Sequence, residues 1–370
     1  MNDIAWMQEA LKEAARGGWS VHPNPMVGAV IVKDGRELGR GYHHGVGQAH
    51  AEVEALQNAA TRRNDVNGAT IYVTLEPCNH YGHTPPCTEA LINAGIKRCV
   101  IAALDPNKKV KGGGIARLRE AGIQCDLGIC QNDVLALNAP FFTRTTLNRP
   151  FITCKWAMTA DGKTATVTGN SQWVTSPESR EDVHCERGRH DAILVGTQTI
   201  IADDPQLNVR LEGYTGRQPV RVILDRTLRI PKNYRIWNTK FQKTLLFTSA
   251  KNIENNSDLS FYTNNGVDVH PIDENNSILD LEQVLQILAD NYSITTLYCE
   301  GGNRLHGALH DMGAIDQVDI YIAPKIVGGN NAFGCVGGNG IEWMDDATQL
   351  KIRDVQRIGP DICIRAMVIS

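Results

Sequence analysis

The chain has 370 residues, 42% of them apolar and 21% charged, with a formal net charge of −4. That length suffices for two cores of ordinary size, and the mild acidity gives no general basic footprint for nucleic acid. No segment approaches the roughly 18 uninterrupted apolar residues of a membrane span, and the first residues lack the basic stretch and apolar core of a signal peptide, so a cytoplasmic chain is expected. Ten cysteines are scattered along it. In a reducing compartment they are thiols, and Cys99, Cys125, Cys130, Cys154, Cys185, Cys299, Cys335 and Cys363 read mostly as small core residues.

Ile4, Met7, Leu11 and Ala14 recur at helical spacing, which predicts a helix over 3–16 ended by Gly17-Gly18. His22-Pro23-Asn24-Pro25 is a rigid turn. Residues 26–33 read as a buried strand, with Asp34-Gly35 as the hairpin turn into the next. Gly28 inside that strand marks a close approach, either by a ligand base or by a packed helix. A helix over 50–60 follows, with Val53, Leu56 and Ala60 on one face. A strand over 69–75, a helix opened by Cys87, a strand over 97–104 and a helix over 115–121 after Gly112-Gly113-Gly114 complete the first half. The triple glycine is a phosphate nest or a simple helix entry. Strand–helix alternation gives a layered α/β domain.

His50, Cys78 and Cys87 stand at the ends of these elements. One imidazole and two thiols are ligands that zinc takes, and three protein ligands leave a fourth position open, as in catalytic rather than structural zinc sites. Zinc lowers the pKa of a bound water to about 7. Glu52, two residues from the histidine, is placed to take that water's proton and deliver it to a leaving amine. His50 and Cys87 both fall at predicted helix N-termini, where the dipole favours thiolate and hydroxide. His-x-Glu, then Pro-Cys and a second Cys, is the signature of zinc-dependent base deaminases. The competing reading is a closed structural zinc with His80 or His83 as fourth ligand, which leaves Glu52 without a role. His43, His80 and His83 are either substrate contacts or polar loop residues.

Most such enzymes carry Cys-x-x-Cys, whereas here Asn79-His80-Tyr81-Gly82-His83-Thr84-Pro85-Pro86 separates Cys78 from Cys87. This loop, with His22-Pro23-Asn24-Pro25 upstream, resembles the deaminase half of the bifunctional deaminase–reductases of riboflavin biosynthesis. Asp105-Pro106-Asn107, followed by lysines, Val110 and glycines, also fits that family. The resemblance implies a cytidine-deaminase-like three-layer α/β/α domain. It also implies that Asn24, His43, Asp105 and Asn107 line a substrate pocket.

Residues 138–150 carry prolines and no clear period, so the domain boundary is placed at 147–150, giving domains 1–147 and 148–370. A strand over 151–158 then leads into the turn Thr159-Ala160-Asp161-Gly162-Lys163. Ala192–Gly196 is an apolar strand before a short helix. Thr296–Cys299 runs through Glu300-Gly301-Gly302 into a helix over 304–312, an arrangement whose backbone N–H groups hold phosphates. No Gly-x-Gly-x-x-Gly follows a strand, so a Rossmann reading has no support. Residues 231–293, rich in Asn and Lys, read as strands and one helix (281–289) joined by variable loops. Tyr321–Lys325 is a strand ending in proline.

Lys155…Asp161-Gly162-Lys163, Ser171-x-Trp173, Ala202-Asp203-Asp204-Pro205…Arg210 and Glu300-Gly301-Gly302 resemble, in order, the reductase half of the same family. This implies a dihydrofolate-reductase-like α/β domain that uses NADPH. By the same resemblance Ser171, Arg187, Leu207, Arg210 and Glu300 contact the phosphoribosyl substrate. Ala157, Trp173, Thr199, Asp203 and the turn Gly302, Asn303, Arg304, Leu305, His306, Gly307 and Ala308 contact NADPH. A guanidinium fork suits a phosphate, although a lone arginine is more often a solvated surface charge. The implied protein is a zinc- and NADPH-dependent homo-oligomer acting on small phosphoribosylaminopyrimidines, with neither nucleic acid nor membrane as partner. Two alternatives stand beside it. One is a nucleoside or tRNA-base deaminase with an unrelated appended domain, which would bind polynucleotides in a salt-sensitive way. The other is a non-catalytic zinc-stabilised binding protein, indifferent to the loss of Glu52.

Overall fold

The structure, a computed structural model, describes residues 1–81, 85–107, 113–255 and 259–369, apart from the side chains of Ile253 and Asn255. His83 and the run Lys108–Gly112, both part of the sequence argument, lie outside the described residues. The chain divides into two compact units, Met1–Arg149 and Pro150–Ser370.

In the first unit, strands β1 (Gly28–Lys33), β2 (Arg36–Tyr42), β3 (Thr70–Leu75), β4 (Arg98–Ala103) and β5 (Gln124–Leu127) form one sheet in the order β2-β1-β3-β4-β5. β1 is antiparallel to β2 and β3, while β3, β4 and β5 run parallel. The helices are α1 (Asp3–Ala15), α2 (Ala51–Thr61), α3 (Cys87–Asn93), α4 (Gly113–Glu120), α5 (Gln131–Leu137) and α6 (Ala139–Leu147). Successive strand residues point to opposite faces. Ile31, Ile71, Val73, Cys99 and Ile101 therefore pack with Ala51 and Ala55 of α2, Leu91 of α3 and Leu118 of α4. Val30, Val32, Tyr72, Val100 and Ala102 pack with Trp6, Met7 and Ala10 of α1 and Val134 of α5. The result is a three-layer α/β/α sandwich.

Two details depart from the sequence reading. The buried face of α2 is Ala51, Ala55 and Ala59, each 0% exposed, together with Glu52, rather than Val53, Leu56 and Ala60. Glycines explain it. A Cβ on Gly39 would lie 2.4 Å from Ala55 O, and one on Gly41 2.5 Å from Ala55 N, so the backbones of β2 and α2 meet with only alanines between them. The second departure is α6, which occupies the stretch read as aperiodic. Pro140 sits in its first turn, where a missing N–H leaves no helical hydrogen bond unmade. The Asn138 side chain accepts from Met26 N–H at 2.8 Å and donates to Met26 O at 2.9 Å, tying the helix start to the segment just before β1.

The second unit holds a nine-stranded sheet of β6 (Phe151–Thr159), β7 (Ala192–Gly196), β8 (Val220–Leu224), β9 (Thr244–Ser249), β10 (Val267–Ile272), β13 (Thr296–Cys299), β14 (Gln317–Ala323), β15 (Gln349–Ile358) and β16 (Asp361–Ile369). A separate two-stranded ribbon joins β11 (Glu274–Asn275) to β12 (Ile278–Leu279). The large sheet runs β10-β9-β8-β7-β13-β6-β14-β16-β15, parallel through β14 and antiparallel in the C-terminal hairpin. Helices α7 (Pro177–Arg189) and α8 (Thr197–Asp203) cover one face, and α11 (Leu281–Tyr292) and α12 (Asn303–Asp311) the other. Two short helices, α9 (Ala250–Asn255) and α10 (Ser260–Asn264), lie within the stretch read as variable loops.

At Gly28 the structure decides between ligand and helix. A Cβ there would lie 2.1 Å from Ala10 O and 2.4 Å from Ala14 N of α1, so the close approach is α1 itself. Gly28→Val is expected to destabilise the first unit by about 3 kcal/mol through overpacking. Calorimetry of the full chain should show that unit's unfolding moved down; an unmoved transition would contradict the packing.

Candidate active sites

The end of β3 and the starts of α2 and α3 bring the three soft ligands together. His50 is the N-cap of α2, Cys87 is the first residue of α3, and Cys78 lies in the loop after β3. His50 Nδ1 is 3.2 Å from Cys87 Sγ and 3.5 Å from Cys78 Sγ, and all three donor atoms lie within 4.8 Å of one another. The N–S edge of a tetrahedral zinc site is about 3.5 Å by its usual bond lengths, so the donor set fits the metal. Cys87 N–H donates to Cys78 Sγ at 3.4 Å, the helix-end contact expected to favour thiolate. The Cys87 thiol hydrogen bond, seconded by His50 and that N–H against the opposing effect of burial, holds the Cys78 thiol below its usual range.

Glu52 stands in the first turn of α2 and is only 3% exposed. Burial, and then the negative Cys78, push its carboxyl up to about 7, the range in which a carboxyl both takes and gives a proton near neutrality. His43 is buried, and burial lowers its pKa, so its ring is neutral. Its Nδ1–H donates to Ala49 O at 3.1 Å, which leaves Nε2 to accept from Asn24 Nδ2 at 3.0 Å. The His43 ring lies edge-on to His50 at 5.6 Å, so Asn24 and His43 adjoin the ligand cluster. Asp105 Oδ1 accepts from Asn107 N–H at 2.8 Å. Burial raises its pKa, and the nearby Glu76 and Cys78 add to the rise.

In the second unit the sheet centre holds a cluster of charged side chains. Arg187 of α7 forks onto Glu300, at the end of β13, with contacts of 2.6 and 2.9 Å, and its third nitrogen donates to Asn208 O at 3.1 Å. Both side chains are about nine-tenths buried. Burial opposes the charge on Glu300, but Arg187 and Lys155 outweigh it and hold the carboxyl at about 2. Lys155 of β6 has its ammonium 5.9 Å from the Tyr321 ring centre, and burial lowers its pKa while Glu300 raises it. Arg210 N–H donates to His184 Nδ1 at 3.3 Å and its guanidinium to Asn208 Oδ1 at 2.6 Å. Burial and the neighbouring Arg187 and Arg210 keep His184 neutral, down at about 4. Leu207, buried and at φ +50°, accepts from Gln242 at its carbonyl.

The expected cofactor residues fall around two helix N-termini on adjacent parallel strands. Gly196 caps α8 and Gly302 caps α12, and a Cβ on Gly302 would lie 3.8 Å from Thr199 Oγ1. Asn303 and Arg304 form the first turn of α12, followed by the buried Leu305, His306 and Gly307 and the half-buried Ala308. Asp203 accepts from Gln172 Nε2 at 3.3 Å, drawing the Ser171–Trp173 loop to α8. Trp173 is 62% exposed beneath the Arg180 guanidinium, so it is a surface ring rather than a core one. Ala157 pairs with Tyr321 of β14.

The comparisons with known proteins cover both units. Residues 1–103 match the cytidine and deoxycytidylate deaminase zinc-binding region, and residues 150–364 match the RibD C-terminal domain. Riboflavin biosynthesis protein RibD of Aquifex aeolicus is 43% identical over 98% of this chain and 97% of its own length. The chain belongs to the RibD family. RibD of Escherichia coli is 40% identical over 98% of this chain and 99% of its own. Acinetobacter baumannii RibD superposes with a TM-score of 0.84 at 37% identity, each chain covered to 99%. A Thermotoga maritima structure, described as a diaminohydroxyphosphoribosylaminopyrimidine deaminase/5-amino-6-(5-phosphoribosylamino)uracil reductase, gives 0.81 at 33%, again with 99% of each covered. The protein is thus a bifunctional enzyme of riboflavin biosynthesis, a zinc-dependent deaminase joined to an NADPH-dependent reductase. The reading as a deaminase with an unrelated appended domain falls with the full-length RibD matches, and the non-catalytic binding protein falls with the two enzymatic domains.

Two residues of this RibD chain carry more than their motifs suggested. Lys155 entered the sequence argument only as part of a motif, yet it lies beside Glu300. The alternation of β6 was the available signal: Cys154 faces one core, which places Lys155 on the other side. Glu76, read only as the residue before Pro77-Cys78, accepts from Gly114 and Ile115 N–H at 3.0 and 3.2 Å and caps α4. The Glu300 carboxyl, held at about 2 instead of 4.5, contributes stability that is complete above pH 4.5 and lost as pH falls to 2. At about 1.4 kcal/mol per pH unit this is roughly 3 kcal/mol. Acid titration of the second unit's unfolding should show that slope, and Glu300→Gln should remove it from an already weakened unit.

Proposed function

We propose that Glu52 is the proton carrier of the deaminase and that His50, Cys78 and Cys87 hold its zinc. The observation that carries the assignment is a buried carboxyl, poised near neutral pH, against three soft donors. Held by these three residues, zinc would supply an acidified water. Glu52 takes a proton as oxygen adds to the ring carbon bearing the amine, and returns it to the departing nitrogen, which leaves as ammonia. Asn24 donates its amide to His43, so its carbonyl oxygen is free to accept from the exocyclic amine of the diaminopyrimidine. Asp105 and Asn107 bound the same pocket.

For the reductase we infer that Glu300 and Lys155 act at the ribosyl group. Arg187, expected to meet the phosphate, has its fork occupied by Glu300 and so fixes the carboxylate that accepts the sugar hydroxyls. Arg210 has no carboxylate partner among the described residues, and it is the cation left for the phosphate. Ser171 and Leu207 flank this pocket. Thr199, Asp203, Trp173, Ala157 and the Gly302–Ala308 turn would hold NADPH, which would supply a hydride for the sugar C1. The C1–oxygen bond breaks, and Lys155, whose pKa burial lowers, gives the freed oxygen its proton.

Product analysis by mass spectrometry tests both halves. The wild-type enzyme should deaminate without cofactor and form the ribityl product only with NADPH. Glu52→Gln should abolish deamination by a factor of 100 or more while keeping zinc and reductase activity, and Lys155→Met should do the reverse. Retention of either activity in its own variant would remove that residue from the mechanism.

The same reading makes the enzyme a cytoplasmic homo-oligomer. All ten cysteines are free thiols. β15 is the open edge of the large sheet, and it leaves Leu350, Ile352 and Val355 at 40%, 59% and 58% exposure, with Trp343 and Met344 exposed just before it. An edge of this kind invites a second copy. Light scattering should show a dimer or larger assembly that Ile352→Lys with Val355→Lys dissociates; a monomeric wild-type chain would contradict it.

A further inference from the structure

A second set of soft ligands lies in the core of the reductase unit, on the other face of β6 from Lys155. Cys154 of β6 and Cys299 of β13 are paired in register on adjacent parallel strands, and both are 0% exposed. His306, in the first turns of α12, is 1% exposed. A ring nitrogen and the two sulfurs lie within 4.8 Å of one another. Buried cysteines are commonly small apolar residues, and nothing about either thiol alone calls for another explanation.

The imidazole does call for one. Its Nδ1–H donates to Cys335 O at 3.1 Å, while Nε2 is buried with no hydrogen bond of acceptable geometry. A core histidine with one nitrogen anchored on a backbone carbonyl and the other bare is the arrangement in which histidine ligates a metal: the carbonyl fixes tautomer and ring orientation, and the free nitrogen takes the ion. The groups beside that ring are the two thiols. With zinc–sulfur bonds near 2.3 Å and a zinc–nitrogen bond near 2.0 Å, donors of a three-coordinate site stand about 3.5–4 Å apart, within the observed spread. Thiolate and imidazole select soft d10 cations over magnesium or calcium. The surroundings add further soft groups, with the Trp156 ring 5.5 Å from His306, and Cys335 Sγ 3.6 Å from Met158 Sδ.

We propose that Cys154, Cys299 and His306 form a second metal site, for a thiophilic d10 cation such as zinc, which clamps β6, β13 and α12 together. The three ligands come from three separate elements, so an ion there joins what hydrogen bonds of the sheet alone do not. Cys299 directly precedes Glu300, and His306 lies within the turn assigned to NADPH. The clamp therefore sets the position of the substrate carboxylate relative to the cofactor turn. This part rests on the reductase assignment above, while the metal site itself does not. Because the site is closed, it fills as the unit folds and exchanges slowly afterwards.

The test counts metal on the full-length enzyme. After chelation under mild denaturation and refolding with zinc, the wild-type chain is expected to keep two equivalents and Cys299→Ala one, with deamination equal in both. Zinc-edge anomalous scattering from crystals of the wild-type chain, which needs no variant, should give density at the two sulfurs and His306 as well as at His50, Cys78 and Cys87. Unfolding of the second unit should also shift upward with zinc in the wild type and not in Cys154→Ala. A single equivalent in the wild type, or anomalous density confined to the deaminase ligands, overturns the proposal. Loss of both metals in Cys299→Ala would mean that the variant misfolds, and the anomalous map then decides. If the clamp is present yet NADPH affinity is the same in Cys299→Ala, the reading of its role at the cofactor turn is wrong while the site stands.

Discussion

The distance between α2 and β2 governs the deaminase half. Gly39 and Gly41 on the strand and Ala51, Ala55 and Ala59 on the helix bring two backbones into contact. A helix lying so close carries its first turn under cover, and Glu52 is in that turn. The raised affinity of its carboxyl for a proton is thus a consequence of backbone packing several residues away. The proposed ligand His50 is the N-cap of this same helix, so it stands two residues before the buried carboxyl.

The reductase half uses a different device. Its pocket keeps a carboxylate charged in a place where burial alone would neutralise it. Against an apolar pair of the same size a buried ion pair gains little, but once Arg187 is buried, losing the charge of its partner leaves a cation uncompensated. Arg187 therefore does for Glu300 what close packing does for Glu52, with the opposite sign: one carboxyl is held ionised and the other is held near its midpoint.

Much of this was legible in the sequence because it depends on local order. The candidate ligands His50 and Cys87 at helix starts, the Asp34-Gly35 hairpin turn (φ +51° and +72°) and the glycines before α12 are all short-range features. What the sequence hid depends on partners distant along the chain. The apolar face of α2 was misassigned because alanine looks weak beside valine and leucine until Gly39 and Gly41 are seen opposite. The Pro140 helix looked like a linker because proline in a first turn and proline in a loop read alike. The pairing of Arg187 with Glu300 spans 113 positions, and no local pattern announces it.

The Glu76 cap has a consequence for motion. Its carboxylate grips the first amides of α4, and a Cβ on Gly114 would lie 2.0 Å from Pro77 O, so the helix start is pressed against the peptide that leads to Cys78. The peptide leading to Cys78 and the start of α4 are packed as one unit. The Gly114 amide, remote in sequence from the proposed ligands, becomes a reporter: its hydrogen exchange should slow when the peptide leading to Cys78 is held in place.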